Sequence, residues 1–220
     1  MSTYIFDIET GPRSRAELAE CVPHFEAPSN WKDPEKIRAY VAEKEAEWFQ
    51  SGALSALTGR VLAIGYTNEA TGEIGFFASN NEAADIAAFW QLIAPTGYLQ
   101  AELIGFNSNR FDLPFLIRRS WHLRVPVPTE LVSGRFLPAQ CRDLLDCWRC
   151  GNREDSVSLD RLAQFLGVGR KTGHGADFAA QWATDPAGAL DYLANDLRLT
   201  RRCAVALGLL AQPTASQPSR

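Results

Sequence analysis

GFNSNRFDLPFLIRRS, residues 105–120, joins the end of a buried strand to the start of a helix. The apolar run Leu103–Phe106 reads as the strand, and the segment from Asp112 to about Trp121 as the helix. Asp112 then stands in the first helical turn, where the positive end of the helix dipole favours a carboxylate. Taken alone, the position suits an ordinary helix-start acid as well as a functional one.

Working outward, two more acidic groups come into view. TYIFDI, residues 3–8, reads as a strand rich in β-branched and aromatic residues. Asp7 and Glu9 are two apart, and the period of two points both side chains to one face. Two carboxylates so close repel unless a cation neutralises them, and a hard, oxygen-preferring Mg²⁺ or Mn²⁺ is the natural partner. The bland alternative is a pair of solvated strand-end acids. Toward the other end, Tyr192 and Asp196 lie four apart on a helix and share a face. Asp is a poor helix former, so Asp196 needs a reason to be there, which exposure or a ligand would supply.

The rest of the chain alternates strand and helix. Arg60–Thr67 and Glu73–Ala78 read as a hairpin across NEATG, and Asn81 to Ala94 as a helix carrying Ile86, Phe89, Trp90 and Ile93. Cys141–Trp148 reads as a further strand, and Ser158 caps a helix through Leu166. Residues 167–175 form a glycine- and lysine-containing loop, and Asp185 with Pro186 opens a long helix running to about Leu209. Between the first strand and the hairpin lies a long connector, residues 12–59, with a helix capped by Asp33, started by Pro34 and ended near Gly52. Ile37, Tyr40, Val41 and Trp48 recur there at helical spacing, so one face is expected to pack. The connector reads either as decoration or as a lid or substrate guide. The alternation favours an α/β class with parallel strand pairs. Residues 1–210 are expected to form one domain and 211–220 a disordered tail.

Hydrophobic residues make up 46% and charged residues 22% of the 220, an ordinary globular balance that names no function. No apolar run approaches the ~20 residues that cross a bilayer, and MSTYIFDIET lacks the features of a signal peptide, so a cytosolic protein with no membrane partner is expected. The five cysteines, at 21, 141, 147, 150 and 203, are then expected as reduced thiols. Cys147 and Cys150 lack the second ligand pair that a zinc site would need. A net charge of −4 argues against a polyanionic partner until its distribution is considered. Between Gly105 and Arg153 eight arginines stand against four acids, which suits a phosphate-contacting rim or a solvated surface.

Asp-x-Glu near the start, Asn-x4-Asp after a mid-chain strand and Tyr-x3-Asp on a late helix, in that order, resemble the three exonuclease motifs of the DEDD superfamily. GFNSNRFDLPFLIRRS is similar to the second motif of family-B DNA polymerase proofreading domains, and DYLANDLRLT, residues 191–200, to the third. The resemblance runs over roughly residues 3–204, and the whole chain looks like the stand-alone exonucleases similar to those domains. It implies an RNase H-like α/β fold with a central mixed five-stranded sheet flanked by helices. It also implies a 3′→5′ exonuclease that uses two divalent cations, Mg²⁺ or Mn²⁺. The partner would be nucleic acid with a free single-stranded 3′ end, DNA favoured, and the product nucleoside 5′-monophosphates.

On the family pattern Asp7 bridges both ions, Glu9 and Asp196 complete the first, and Asp112 serves the second directly or through water. Tyr192 orients the attacking water. Members with a catalytic histidine carry it where Asp191 stands here, so the chain resembles the tyrosine subclass. Thr10, Asn107, Phe111, Arg118 and Arg119 are the candidate contacts to the terminal nucleotide. Phe111 is equally a core residue, and the two arginines are equally solvated ones. Asp143 and Asp146 read as strand-end acids, and His174 as a surface residue. The connector at 12–59 lies outside the motif pattern, and a chain without a polymerase domain is expected, which leaves any polymerase or repair partner unassigned. A non-catalytic nucleic-acid-binding module on the same fold, and an exoribonuclease acting on short RNA, are the alternative readings.

Overall fold

The structure, a computed structural model, describes residues 1–211. Its sheet is built on β1 (Ser2–Pro12), which pairs antiparallel with β2 (Gly59–Asn68) on one edge and parallel with β4 (Ala101–Gly105) on the other. β2 turns back antiparallel into β3 (Ile74–Phe77), and β4 runs parallel to β5 (Cys141–Asp143), giving the order β3-β2-β1-β4-β5. Helices cover both faces, as the α/β expectation required. Alternation along β1 sends Tyr4, Phe6 and Ile8 into a core shared with α3 (Glu82–Ile93) and α4 (Asp112–Leu123). Ile5 goes the other way, against α6 (Leu159–Phe165) and α8 (Pro186–Ala206). The same period carries Asp7 and Glu9 to the α8 side.

Helix starts follow the capping chemistry of the sequence. Asp33 accepts the N–H groups of Glu35 and Lys36, Asn81 that of Ala84, Ser158 that of Arg161 and Asp185 that of Gly188. The connector holds α1 (Arg15–Leu18), closed by a Ser14–Glu17 capping box, then α2 (Pro34–Ser51) and a 3-10 turn at Gly52–Leu54. Its expected packing face is largely open. Of α2 only Phe49 is buried, because the helix meets the body of the protein at its C-terminal end alone, leaving Ile37, Tyr40, Val41 and Trp48 half-exposed.

The strand expected over Cys141–Trp148 stops at Asp143, whose carboxylate accepts the Leu145 N–H at 2.8 Å and so starts α5 (Leu144–Arg149). Asp146 is therefore a helix residue and not a strand-end one. A short helix, α7 (Phe178–Thr184), stands where none was expected, with Phe178 and Trp182, four apart, stacked at 6.0 Å. The last helix ends at Ala206. Of the tail expected to be disordered, residues 212–220 lie outside the described residues. Among the described residues no helix is long and apolar enough to cross a membrane.

Arg119 is not a substrate contact. It is 3% exposed and makes a two-pronged pair with Glu82, Nε to Oε1 at 2.8 Å and Nη2 to Oε2 at 2.7 Å, which staples α4 to α3. Glu82 Oε1 also accepts the Val61 N–H at 2.8 Å, so the pair holds the start of β2 as well. Removing the guanidinium would strand a mostly buried carboxylate, so Arg119→Ala is expected to cost about 3 kcal/mol of stability. Denaturant unfolding measures this, and a loss under about 1 kcal/mol, the scale of a surface pair, would contradict the buried staple.

Candidate metal centre

β4 stops at Gly105 while β1 runs on to Pro12, and their parallel pairing ends at Ile5 opposite Ile104. Beyond that point this edge of β1 has no strand beside it among the described residues. Asp112 takes the vacant place, its Oδ1 accepting the Ile8 N–H at 3.0 Å. The turn that delivers Asp112 is tight. A Cβ on Gly105 would stand 2.5 Å from the Ser108 side chain, and Asn107 adopts φ 58°, a left-handed conformation that asparagine tolerates. Asp143 pins this turn by accepting the N–H groups of Asn107 at 2.8 Å and Asn109 at 2.9 Å. The sequence marked Asp143 only as a nearby acid, since nothing in its spacing pointed to the turn.

On the other side of the sheet, Asp7 is paired with Gly65 of β2. A Cβ at Gly65 would come within 2.9 Å of Leu193 and Leu197, so glycine lets α8 lie close against the sheet. Leu193 and Leu197 flank Asp196 in sequence, and their seating brings that carboxylate to the strand. One oxygen each of Asp7, Glu9 and Asp196 lies within 4.8 Å of the others. Among the described residues this is the only grouping of three or more His, Cys, Asp or Glu that could hold a metal ion. Magnesium, octahedral with bonds of about 2.1 Å, sets adjacent ligand oxygens about 3 Å apart and opposite ones about 4.2 Å apart, so the three carboxylates would draw together around an ion. Asp112 lies outside this close triad.

Burial and mutual repulsion set the electrostatics. Asp7 is pushed well above the usual carboxylate range, by burial first and then by the charges of Asp112 and Glu9. Glu9 is raised to about 8 by burial and then by Asp196. Asp112 is raised to about 7 by burial, and the Ile8 N–H works against that rise. Asp196 is raised by burial and held back by Lys171, whose Nζ lies 2.5 Å from Asp196 Oδ2.

Among the described residues the other oxygen of Asp196 is buried without a hydrogen-bond partner, and so is the Tyr192 hydroxyl. An unsatisfied buried acceptor costs about 1–3 kcal/mol, and a hard cation is the partner an all-oxygen set would take. The residues therefore fit a divalent ion. Burial, then the Asp196 charge, pushes the Tyr192 phenol above its ordinary value, so it keeps its proton and can donate.

The sequence alone does not mark Lys171. The 167–175 loop was legible as a glycine- and lysine-containing segment, but no spacing tied it to Asp196. Its backbone N–H is held by Asp160 of α6 at 2.8 Å, and Gly173 and Gly175 pass beside the Tyr192 side chain. The other expected contacts divide. Thr10 and Phe111, with Glu9, border a cavity of about 390 Å³ whose far side is Gln50, Ala53 and Leu54 of the connector. The Thr10 hydroxyl is already committed, donating to the Ala53 carbonyl at 2.8 Å, so it ties the connector to β1. Phe111 is half-buried and packs on Phe115 at 5.5 Å. Arg118 is exposed and borders a different cleft, and Arg119 is buried against Glu82. His174 is exposed, and Cys147 and Cys150 are exposed and unpaired.

The raised carboxyls predict a pH dependence. Glu9 moves from 4.5 to about 8, so the folded chain binds the extra proton between those values. The contribution to stability is full below about 4.5 and is lost as pH rises through about 8. In chelator, Tm should fall over that interval, and Mg²⁺ or Mn²⁺ should raise it more at the alkaline end than at the acid end. Equal shifts at both ends, from melts followed by circular dichroism, would contradict a cation-binding cluster.

No family model matches this sequence, and neither does any curated protein. Solved structures do resemble it. One is the family B DNA polymerase from the hyperthermophilic archaeon Pyrobaculum calidifontis, with a TM-score of 0.60 and 19% identity over 94% of this chain. The chain spans 24% of the polymerase's length. At that identity the likeness concerns the fold, and the chain has the RNase H-like architecture: a five-stranded mixed sheet flanked by helices, similar to a region of a family B DNA polymerase.

Proposed function

We propose that the chain is a metal-dependent 3′→5′ exonuclease of the DEDD type, tyrosine subclass, acting on single-stranded ends with DNA favoured. The observation that carries this is the convergence of Asp7, Glu9 and Asp196 within 4.8 Å beside Asp112, together with a buried Asp196 oxygen that has no hydrogen-bond partner among the described residues. Likeness of fold to a DNA polymerase supports the choice of nucleic acid and of DNA. Asp7, Glu9 and Asp196 would hold one ion, and Asp7 with Asp112 the second. Two such ions, Mg²⁺ or Mn²⁺, supply an activated water and stabilise the leaving 3′ oxygen of an in-line displacement.

The chain's own groups do the rest. Tyr192 keeps its proton and offers its hydroxyl to position the attacking water, since a phenol this basic is no general base near neutrality. Lys171 occupies Asp196 Oδ2 and competes with a cation for that oxygen. The cavity of about 390 Å³ beside Glu9 has room for one nucleotide, with Phe111 and Leu54 as apolar surfaces for its base. One nucleoside 5′-monophosphate would leave per cut.

A 5′-labelled single strand should shorten stepwise with Mg²⁺ or Mn²⁺ and stay intact in chelator. Full-length strand under all conditions, or internal cutting, would sink the proposal, and parallel DNA and RNA ladders read the preference. Asp7→Ala or Asp196→Ala should lower the rate by about 10³-fold or more, at least the cost of losing an oxyanion-hole donor, with the circular dichroism spectrum kept. Tyr192→Phe should cost only about tenfold, one hydrogen bond's worth. A loss as deep as that of Asp7→Ala would assign Tyr192 more than water positioning.

A further inference from the structure

We infer that the cleft between the connector and the C-terminal half of α4 binds the single strand just upstream of the terminal nucleotide, a reading that rests on the exonuclease proposal. The cleft encloses about 780 Å³. Arg13, Trp48 and Leu57 form one side, and Arg118, Trp121 and His122 the other. Among the described residues no acidic side chain lines it, in a chain where acids outnumber bases 26 to 22. Trp121 is 61% exposed and Leu57 80%, so large apolar faces stand open to solvent there. Arg13 pairs with Glu17 at 3.6 Å and donates from Nη1 to the Leu57 carbonyl at 3.3 Å, while its buried Nε has no hydrogen-bond partner among the described residues. An unmet guanidinium N–H beside open indoles matches what a single strand presents, phosphate oxygens and flat bases.

Position supports the same occupant. Pro12, Gln50 and Leu54 border the terminal cavity, and their immediate neighbours Arg13, Ser51 and Ser55 border the cleft, so the two adjoin across the Gly52–Leu54 turn. α4 fixes the spacing. Asp112 opens the helix and Arg118 and His122 follow six and ten residues on, about 9 and 15 Å along the axis, a span a few nucleotides cover.

The test uses the full chain in chelator, with fluorescence anisotropy of a labelled dinucleotide and of a DNA strand of about ten nucleotides. The wild type should bind the longer strand more tightly. Trp121→Ala and Arg118→Ala, both at exposed positions, should each weaken the longer strand at least ~5-fold and erase its advantage over the dinucleotide. Arg118→Ala should also lower the slope of log affinity against log salt by about 0.7, one phosphate contact, which a merely structural residue would leave in place. A wild type without length dependence, or variants that retain it, would overturn the cleft. A chain that trims DNA while both variants bind like wild type loses the cleft and keeps the nuclease. A chain that binds with the expected length dependence yet never cuts loses the nuclease and keeps the cleft as a binding site.

Discussion

Carboxylates drawn together away from water cannot all be charged unless something positive joins them. Asp7, Glu9 and Asp196 meet this constraint at the end of β1, and Asp112 adds a fourth negative group beside them. Without a cation the cluster resists ionisation, and Lys171 supplies only one positive charge, to one oxygen of Asp196. A fold that merely needed packing would put leucines here. The energy invested in holding acids together makes sense as preparation for a ligand of high positive charge.

The scaffold enforces that closeness by covalently simple means. β1 outruns β4, so a backbone N–H at Ile8 is left for Asp112 to take, and the carboxylate is held by the strand's own hydrogen-bonding need. Gly65 lacks the Cβ that would hold α8 away, so Leu193 and Leu197 seat against the sheet and carry Asp196 inward. Asp143 holds the turn between β4 and α4 by two backbone N–H groups, those of Asn107 and Asn109, and caps α5 through a third, that of Leu145. The connector meets the same end of the sheet, where the Thr10 hydroxyl is bonded to the Ala53 carbonyl, so the outer wall of the cavity is tied to the strand that bears the acids.

What could be read beforehand follows from how local each signal is. The period of two at Asp7 and Glu9, the caps at Asp33, Asn81, Ser158 and Asp185, and the strand-to-helix passage into Asp112 depend on neighbours in sequence, and all were legible. The order of the acidic motifs carried the fold through resemblance. Lys171 was invisible as a site residue because its partner, Asp196, lies on a different element, and the same is true of Asp143 and its turn. Arg119 misled for the opposite reason: charge counted along the chain cannot distinguish a guanidinium facing water from one facing Glu82. The strand reading over Cys141–Trp148 runs past Asp143, whose side chain accepts the Leu145 N–H and caps a helix from Leu144.

Manganese located directly bears most closely on the cluster's purpose. Anomalous diffraction from crystals of the full chain grown with Mn²⁺ should show peaks at bonding distance from Asp7, Glu9 and Asp196, with a second ion reached by Asp112. Crystals that take up the ion elsewhere, or leave these oxygens bound only to Lys171 and protons, would contradict the proposition that this end of β1 was built to hold cations.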